Sequence, residues 1–243
     1  MVNSKHVREA LVYYQEGNES RWIDAVGQNV VKFVVNPGGA SDDATGKPDR
    51  FTTVVTETGA GSCTIVNSLT AETAMLLTTD DTEYEGIQLQ AKGEAFLLTS
   101  AKPLYFGIKC SISDATQSDL LIGLCETHGD LVATAAAHAI AAADVEGVFF
   151  WKVDGGTVIT AKTYKDAAQT ATANSATVMN TSAHIYEIVW DGTTVYFYVD
   201  GILVTSVAAS LPDGDLTPSI NLRAGANAAK TMTVYWMKCI QIN

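Results

Sequence analysis

Three acidic residues in the stretch DDTEYEG, residues 80–86, have a spacing that could support hydrolysis of a glycosidic bond. Asp81, Glu83 and Glu85 alternate, so on a β-strand their carboxylates would share one face. Two carboxyl groups about 5–5.5 Å apart can act as acid and nucleophile on a sugar chain. The stretch lies beside turn residues, however, and lacks the apolar flanks that would raise a carboxyl pKa. We therefore interpret these residues as solvated turn charges and predict no catalytic residue.

Other reactive side chains lack the partners that catalysis or cofactor binding requires. No G-x-S-x-G elbow and no Cys-His motif accompanies the histidines, which are His6, His128, His138 and His184. The glycine-rich stretch NPGGASDDATGKPD lacks the spacing of a phosphate-binding loop, and the aspartate pairs lack the spacing of a calcium loop. We expect no cofactor and no metal. The cysteines lie far apart in apolar stretches, which predicts buried free thiols at Cys63, Cys110, Cys125 and Cys239.

The charge balance excludes two classes of partner. With 15 basic and 27 acidic residues, the net charge of −12 repels nucleic acid and anionic lipid heads. The first residues lack the apolar core of a signal peptide, and no apolar run approaches the ~20 residues needed to span a bilayer. The sequence therefore predicts a protein without nucleic-acid or membrane partners, made in the cytoplasm.

Candidate strands recur every 8–12 residues from Phe51 onward, separated by Gly, Asp, Asn or Pro. About fourteen such strands are too many for one open sheet, so two packed sheets are expected. The predicted fold class is all-β, an antiparallel two-sheet jelly-roll sandwich at residues 51–243. The Ala-rich stretch at residues 131–144 is the exception, and predicts either a short helix or a loop.

Residues 1–50 differ from this body and are predicted to form an N-terminal arm. Asn3 or Ser4 can cap a short helix whose apolar face comprises Val7, Ala10, Leu11 and Tyr14, with Gly17 as its end. A strand, NVVKFVVN at residues 29–36, and a flexible loop rich in Gly and Asp follow. The alternative, that this segment completes the body's sheet, stays open.

The stretch WDGTTVYFYVDG, residues 190–201, predicts the middle of a three-strand meander because Asp-Gly pairs favour tight hairpin turns. Along its strand, Tyr196 and Tyr198 point to the face opposite Val195, Phe197 and Val199. Both faces are therefore apolar. Either the two tyrosines line a binding groove or another element or subunit covers them.

The segment at residues 147–242 resembles the concanavalin A-like lectin/glucanase jelly roll. The similarity is carried by GVFFWKVDGG, HIYEIVWDGTTVYFYVDGILV, LPDGDLTPSINLRAG and MTVYWMKCIQI. A second piece, KPLYFGIKCSISDATQSDLLIGLCET at residues 102–127, is similar to segments of bacteriophage virion proteins that share this jelly roll. Together the pieces cover about half of the chain.

The resemblance implies a non-catalytic structural protein of a bacteriophage particle, most simply a capsid decoration or cement protein. Its partners would be the major capsid protein or other virion proteins and further copies of the chain, since such proteins are usually homo-oligomers. It would be located in the virion, on the capsid surface rather than the tail. Contacts with the shell or subunits are assigned to apolar residues of the arm, which are Val7, Leu11, Tyr14, Trp22, Val30, Phe33 and Val35.

Two alternatives accompany this prediction. The first is a lectin-like carbohydrate-binding module, with aromatic side chains Trp151, Tyr196 and Tyr198 available to stack on sugars or to form an interface. The second is a family 16-like glucanase, against which the sequence lacks the Glu-x-Asp run that such enzymes carry on one strand. On that ground the chain is expected not to be an enzyme.

Overall fold

Strands separated by tight turns make up the regular structure of this chain, as seen in a computed structural model. The structure describes residues 2–37, 42, 46–57, 63–69, 74–132, 145–165, 168–171 and 177–243. Within these ranges no helix is long and apolar enough to cross a membrane. The expectation for residues 131–144 falls almost entirely outside the described residues, as do most of the Gly- and Asp-rich loop and His138.

The strands are numbered in chain order. Their bounds are β1 (Val2–Val7), β2 (Ala10–Gln15), β3 (Asn18–Val26), β4 (Val30–Val35), β5 (Phe51–Thr56), β6 (Thr64–Leu69), β7 (Ala74–Thr78), β8 (Gly86–Ala91), β9 (Leu104–Ile112), β10 (Ser118–Cys125), β11 (Gly147–Lys152), β12 (Val158–Lys165), β13 (Ala168–Ala171), β14 (Thr177–Val178), β15 (His184–Trp190), β16 (Val195–Val199), β17 (Ile202–Val207), β18 (Thr217–Ala224) and β19 (Thr231–Ile242).

Two antiparallel sheets form the body, which confirms the predicted sandwich. Sheet I has the order β17-β16-β15-β9-β19-β7-β6, and sheet II has the order β13-β12-β11-β10-β18-β8-β5. Strand β14 pairs with β12, and β4 pairs with β19. β19 is long enough that β7 and β4 share one of its edges, at Thr231–Val234 and Met237–Ile242 respectively, while β9 pairs along the other edge.

Alternating side chains from the two sheets fill the space between them. Phe106 and Ile108 of β9 and Leu120 and Ile122 of β10 are fully buried in this core. The ring of Phe150 packs edge-on against Tyr186 and Phe197, each at 5.3 Å between centroids. Burial of this apolar surface is the main stabilising contribution to the sandwich.

The N-terminal helix is a wrong prediction, because residues 2–15 form a β-hairpin. Strands β1 and β2 pair from Val2 with Gln15 to Val7 with Ala10, and β3 pairs with β2 to give a three-stranded N-terminal sheet. Arg8 and Glu9 make the turn with φ of 49° and 72°, a left-handed conformation that suits a two-residue hairpin. Gly17, with φ of 83°, lies in the next turn instead of ending a helix.

The physical reason for this error is that the spacing of the apolar residues fits both structures. Val7, Ala10, Leu11 and Tyr14 form a narrow helical stripe, but Ala10 and Val12 also alternate as on a strand and are fully buried on one face. That face packs on sheet I, and tertiary burial outweighs local helix propensity.

The predicted strand at residues 29–36 is confirmed as β4, which is hydrogen-bonded to β19 from Val30 with Ile242 to Val35 with Met237. β4 is therefore part of sheet I, whereas β1–β3 form a layer on the outer face of that sheet. The division into an arm at residues 1–50 and a body at residues 51–243 stays a prediction.

Candidate functional site

The turn between β15 and β16 is held by one carboxylate. Asp191 Oδ1 accepts hydrogen bonds from Thr193 N (2.8 Å), Thr193 Oγ1 (2.9 Å) and Thr194 N (2.8 Å). Its Oδ2 accepts a hydrogen bond from the Tyr196 hydroxyl at 3.1 Å. Gly192, with φ of 107°, passes so close to Ser100 O that a Cβ there would lie 2.6 Å from this oxygen. The Asp-Gly pair thus places a charged side chain at a defined point on the end of sheet I.

The chain's own N-terminal sheet covers the two tyrosines of β16. Val195 and Phe197 enter the core, whereas Tyr198 turns outward and is only 1% exposed because the N-terminal sheet lies over it. Tyr196 is partly buried at the margin of the same cluster. The sequence left open whether the tyrosines line a binding groove or are covered. Tyr198 is covered, by another element of the same chain.

A buried ion pair fastens the N-terminal sheet to sheet I. Arg21 of β3 donates from Nε and Nη2 to Glu187 of β15, at 2.9 Å and 2.6 Å to Oε2. Tyr105 Oη donates to Glu187 Oε1 at 2.8 Å. Burial and the neighbouring Glu187 carboxylate raise the pKa of Tyr105 well above its usual value, so the phenol stays a donor. We call Arg21, Glu187 and Tyr105 the clamp.

Apolar and cationic contacts surround the clamp. The rings of Trp22 and Tyr105 lie 5.8 Å apart, and Trp22 is 6% exposed. Lys238 of β19 donates to Ile23 O at 2.6 Å and lies 5.1 Å from the Tyr105 ring centroid. The N-terminal sheet is therefore joined to β9 and β19 by aromatic, cationic and hydrogen-bonding contacts beside the clamp.

A pocket opens where the N-terminal sheet meets the end of sheet I, and we call it the junction pocket. Its volume is about 180 Å³. Both layers contribute to its lining, which comprises Lys5, Val7, Val12, Glu19, Ser20, Trp22, Pro103, Asp191 and Ile242. The apolar members of this set form the wall, and the charged and hydroxyl-bearing side chains supply hydrogen-bonding groups.

The charged groups of the junction pocket already have partners. Lys5 Nζ lies 3.1 Å from Glu19 Oε2 and 5.2 Å from the Tyr14 ring centroid. Burial acts to raise the pKa of Asp191, but the hydrogen bonds from Thr194, Thr193 and Tyr196 outweigh it, so the net shift is downward. Asp191 is consequently ionised at neutral pH.

The outer face of sheet II carries polar side chains. Gln88 and Gln90 of β8 and Asn221 and Arg223 of β18 are all at most 2% exposed. Residues 126–132, which we call the strap, bind this row. Gln88 donates to His128 O and accepts from Leu131 N, both at 2.7 Å.

Further hydrogen bonds join the strap to the same row. Gln90 accepts from His128 N at 2.9 Å, and Arg223 forms an ion pair with Asp130. Two buried atoms of the row, Asn221 Oδ1 and Arg223 Nε, have no hydrogen-bond partner among the residues that the structure describes. The strap thus closes the polar row instead of leaving an open groove over it.

Trp151 of β11 is 4% exposed and packs with Leu131, Val132, Val145 and Phe149 on the outer face of sheet II. Lys162 Nζ lies 5.7 Å from its ring centroid.

The arm residues predicted to contact a shell differ in burial. Trp22 and Val35 are buried, whereas Val7, Leu11, Tyr14, Val30 and Phe33 are partly buried. Their assignment to shell or subunit contacts stays a prediction.

A β-bulge in β19 brings two aromatic residues onto the same side of sheet I. The register shifts between Val234 and Trp236, so Tyr235 is the extra residue. Lys109 Nζ lies 5.2 Å from the Tyr235 centroid and Lys238 Nζ 5.6 Å from the Trp236 centroid. Since both lysines project from the outer face of sheet I, the two rings lie there as well, although strict alternation would separate them.

The acidic stretch at residues 80–86 lies in the loop before β8. Glu85 is 2% exposed, Glu83 is partly buried and Asp81 is exposed, so the three carboxylates do not form one strand face, and Glu85 is not the solvated charge that the sequence predicted. Asp213 pairs with Lys165. Within the described part of the chain, no group of three His, Cys, Asp or Glu side chains could hold a metal ion.

The sequence did not reveal the junction pocket because its residues come from four separate segments. Lys5 and Glu19 face each other only when β1, β2 and β3 form a meander. The signal that could have been used is the alternation of Ala10 and Val12, together with the Asp-Gly turn that begins at Asp191.

No protein-family model matches the chain, and no curated protein matches its sequence. Solved structures do match. A β-1,3-1,4-glucanase (lichenase) derived from a mouse hindgut metagenome is 11% identical, with a TM-score of 0.54 over 86% of this chain and 98% of its own. A β-1,3-glucanase from Mycobacterium marinum is 11% identical, with a TM-score of 0.53 over 85% and 97%. Peanut lectin is 11% identical, with a TM-score of 0.56 over 87% and 97%.

These structures show a concanavalin A-like lectin/glucanase jelly roll, which confirms the fold that the sequence resembles. The prediction that the chain is not an enzyme is wrong on this comparison, because glucanases are among the proteins that share its fold. That prediction relied on the absence of one strand motif. The comparisons do not support a bacteriophage origin, and the predicted capsid partners, oligomerisation and virion location stay predictions.

Proposed function

We propose that this chain binds carbohydrate and that the junction pocket is its binding site. The observation that carries the proposal is the composition of the pocket, in which an apolar wall faces a charged and hydroxyl-bearing rim within about 180 Å³. A sugar ring has the same division, with apolar C–H faces and a polar edge of hydroxyls. Sites for such ligands combine apolar or aromatic walls with a few placed polar groups.

Each part of the pocket has a defined role in this proposal. Trp22 and Val7 would contact the apolar face of the ring. Asp191 and Glu19 would accept hydrogen bonds from hydroxyls, and Lys5 or Ser20 would donate to hydroxyl oxygens. The clamp and the 191–194 turn hold both layers in place before binding, which lowers the entropic cost of forming the complex.

The fold gives independent support at the level of protein class. A lectin and two glucanases share the architecture over nearly their whole length. At this level of identity the likeness establishes architecture alone, so the assignment to carbohydrate depends on the pocket.

Glycan-array binding with a blocking variant tests the proposal. Ser20 is exposed and lines the pocket, so Ser20→Trp should fill it without disturbing the core. Ser206 is also exposed but lies on edge strand β17, which makes Ser206→Trp the matched control. We expect the wild-type chain and the control to bind the same glycans, and Ser20→Trp to lose them. Array binding that survives in Ser20→Trp would refute the site, and an array without any bound glycan would refute the function.

Glycoside hydrolysis is the second candidate, favoured by the presence of two carboxylates, Glu19 and Asp191, in one pocket. Such chemistry uses one carboxyl group as acid and a second, ionised group as nucleophile or base. The lowered pKa of Asp191 suits the ionised role. Release of reducing sugar from β-glucans by the wild-type chain, abolished in Glu19→Gln and Asp191→Asn, would establish it. Bound glycan without any release would leave binding as the function.

A further inference from the structure

We infer that the junction pocket selects its sugar by charge, accepting a neutral or amino-bearing ring at a chain end and rejecting an anionic ring. This inference rests on the proposed function and names the class of ligand for the same site. Three charged side chains line the pocket, and they carry one positive and two negative charges.

The single cation of the pocket is already neutralised. Lys5 Nζ lies 3.1 Å from Glu19 Oε2 and 3.4 Å from Glu19 O, so its charge is shared with a neighbour on β3. A carboxylate or sulfate on the ligand would have to compete with Glu19 for this ammonium group. It would gain little from Lys5 while coming close to two carboxylates of like charge.

The second carboxylate cannot turn away from the pocket. Asp191 is held by three donors of its own turn and by the Tyr196 hydroxyl. Gly192 fixes the path of that turn against Ser100. The negative charge of Asp191 is therefore a built feature of the pocket, and it attracts an ammonium group and repels an anion.

The volume of the pocket sets the length of the ligand that it can enclose. About 180 Å³ is less than the ~300 Å³ at the lower end of sites for drug-sized ligands. This space suits a single ring, with the remainder of a longer glycan in solvent. Recognition of a terminal residue follows from that size.

Three monosaccharides of similar shape test the proposed selection by charge, which we call the charge rule. Glucosamine, glucose and glucuronic acid differ at one position each, and at about pH 6 they are cationic, neutral and anionic. Titration followed by the indole N–H resonance of Trp22 measures their affinity at the pocket itself. We expect the order glucosamine, glucose, glucuronic acid, with steps of about five-fold in Kd at low salt that shrink as salt is added.

Matched variants identify the source of the selection. Asp191→Asn keeps a side chain that can hold the turn, so it should bring glucuronic acid close to glucose in affinity. Asp200→Asn is the control, because Asp200 occupies the next hairpin turn and binds His184 outside the pocket. This control should leave the order unchanged.

Two results would overturn the inference. If the three rings bind equally, or glucuronic acid binds best, the charge rule fails although the pocket still binds sugar and the proposed function stands. If none of them shifts the Trp22 resonance up to about 100 mM, where weak single-ring binding would show, the ligand class is wrong. The glycan array then decides whether the proposed function falls with it.

Discussion

The outer faces of sheet I and sheet II are both covered by the chain itself, but by different kinds of contact. On sheet I a separate three-stranded sheet packs through apolar side chains around one clamp, whose acceptor Glu187 receives three donor groups. On sheet II the strap is bound by amide side chains, and two buried polar atoms lack a partner within the described part of the chain. A buried polar atom without a hydrogen bond thus subtracts from the stability that its bonded neighbours give to the cover.

The largest effect is expected from breaking the clamp. Arg21→Ala leaves the Glu187 carboxylate, 1% exposed, without its guanidinium partner. The free energy of unfolding should fall by about 3–5 kcal/mol, because an uncompensated charge remains buried. Urea denaturation measures the loss, and faster hydrogen exchange in β2 and β3 would show that the N-terminal sheet detaches. Arg8→Ala, in the exposed hairpin turn, is the control, and equal losses in both variants would contradict the clamp.

A smaller effect is expected at the strap. Asp130→Ala removes one partner of Arg223, which keeps its hydrogen bond to Tyr84 O at 2.7 Å. Since Asp130 is about one-third exposed, we expect a loss of about 1–2 kcal/mol. Hydrogen exchange should accelerate in the strap but not in β10. Asp49→Ala breaks an exposed pair with Lys92 at 3.7 Å and should cost less than about 0.5 kcal/mol. A strap that exchanges at the wild-type rate would argue against this role of the pair.

The difference between the outer faces of sheet I and sheet II predicts one substitution that increases the free energy of unfolding. Asn221→Leu removes the unpartnered Oδ1 and only a 3.4 Å contact from Nδ2 to Gln88. We expect a gain of up to about 1 kcal/mol in the free energy of unfolding. Thr217→Val on the same strand removes a 2.8 Å hydrogen bond to Ala91 O and should destabilise by about 1 kcal/mol. A clear loss in Asn221→Leu would mean that a bound group satisfies Oδ1.

The smallest effect concerns pH and the turn at Asp191. Its pKa is lowered in the folded chain, so its contribution to stability is present above the unfolded pKa of about 4 and is lost as pH falls below it. The stability difference between wild type and Asp191→Asn should therefore be a few tenths of a kcal/mol at about pH 7, because the exposed site is screened by solvent, and smaller at about pH 3. Denaturation midpoints at both pH values measure it. A difference that grows on acidification would have the wrong sign.

Sequence reasoning predicted the sandwich because its signals are local. The short apolar runs of β9, β10 and β16, bounded by turn residues, and the Asp-Gly turns at 191–192 and 200–201 each specify a strand or hairpin without information from elsewhere in the chain. The Arg8-Glu9 turn lacked such a signal, since neither residue is a typical turn former, and the N-terminal hairpin was mistaken for a helix.

The candidate site was harder to predict because distant segments form it. Lys5, Trp22 and Asp191 meet only after the N-terminal sheet packs on sheet I, and no spacing rule connects them. The bulge at Tyr235 likewise changes the side on which an aromatic ring lies, against the alternation expected from the sequence. Long-range packing decides both features.

The long strand β19 also determines when folding can be completed. It pairs with β9, β7 and β4, and Ile240 and Ile242 contact the N-terminal sheet, yet it follows all of these partners in chain order. During synthesis, β1–β3 can pair locally at once, but the part of their packing surface that Ile240 and Ile242 supply is missing until β19 has emerged. Until then part of the cover of Val12 and Trp22 is missing, and transiently exposed apolar surface of this kind favours aggregation.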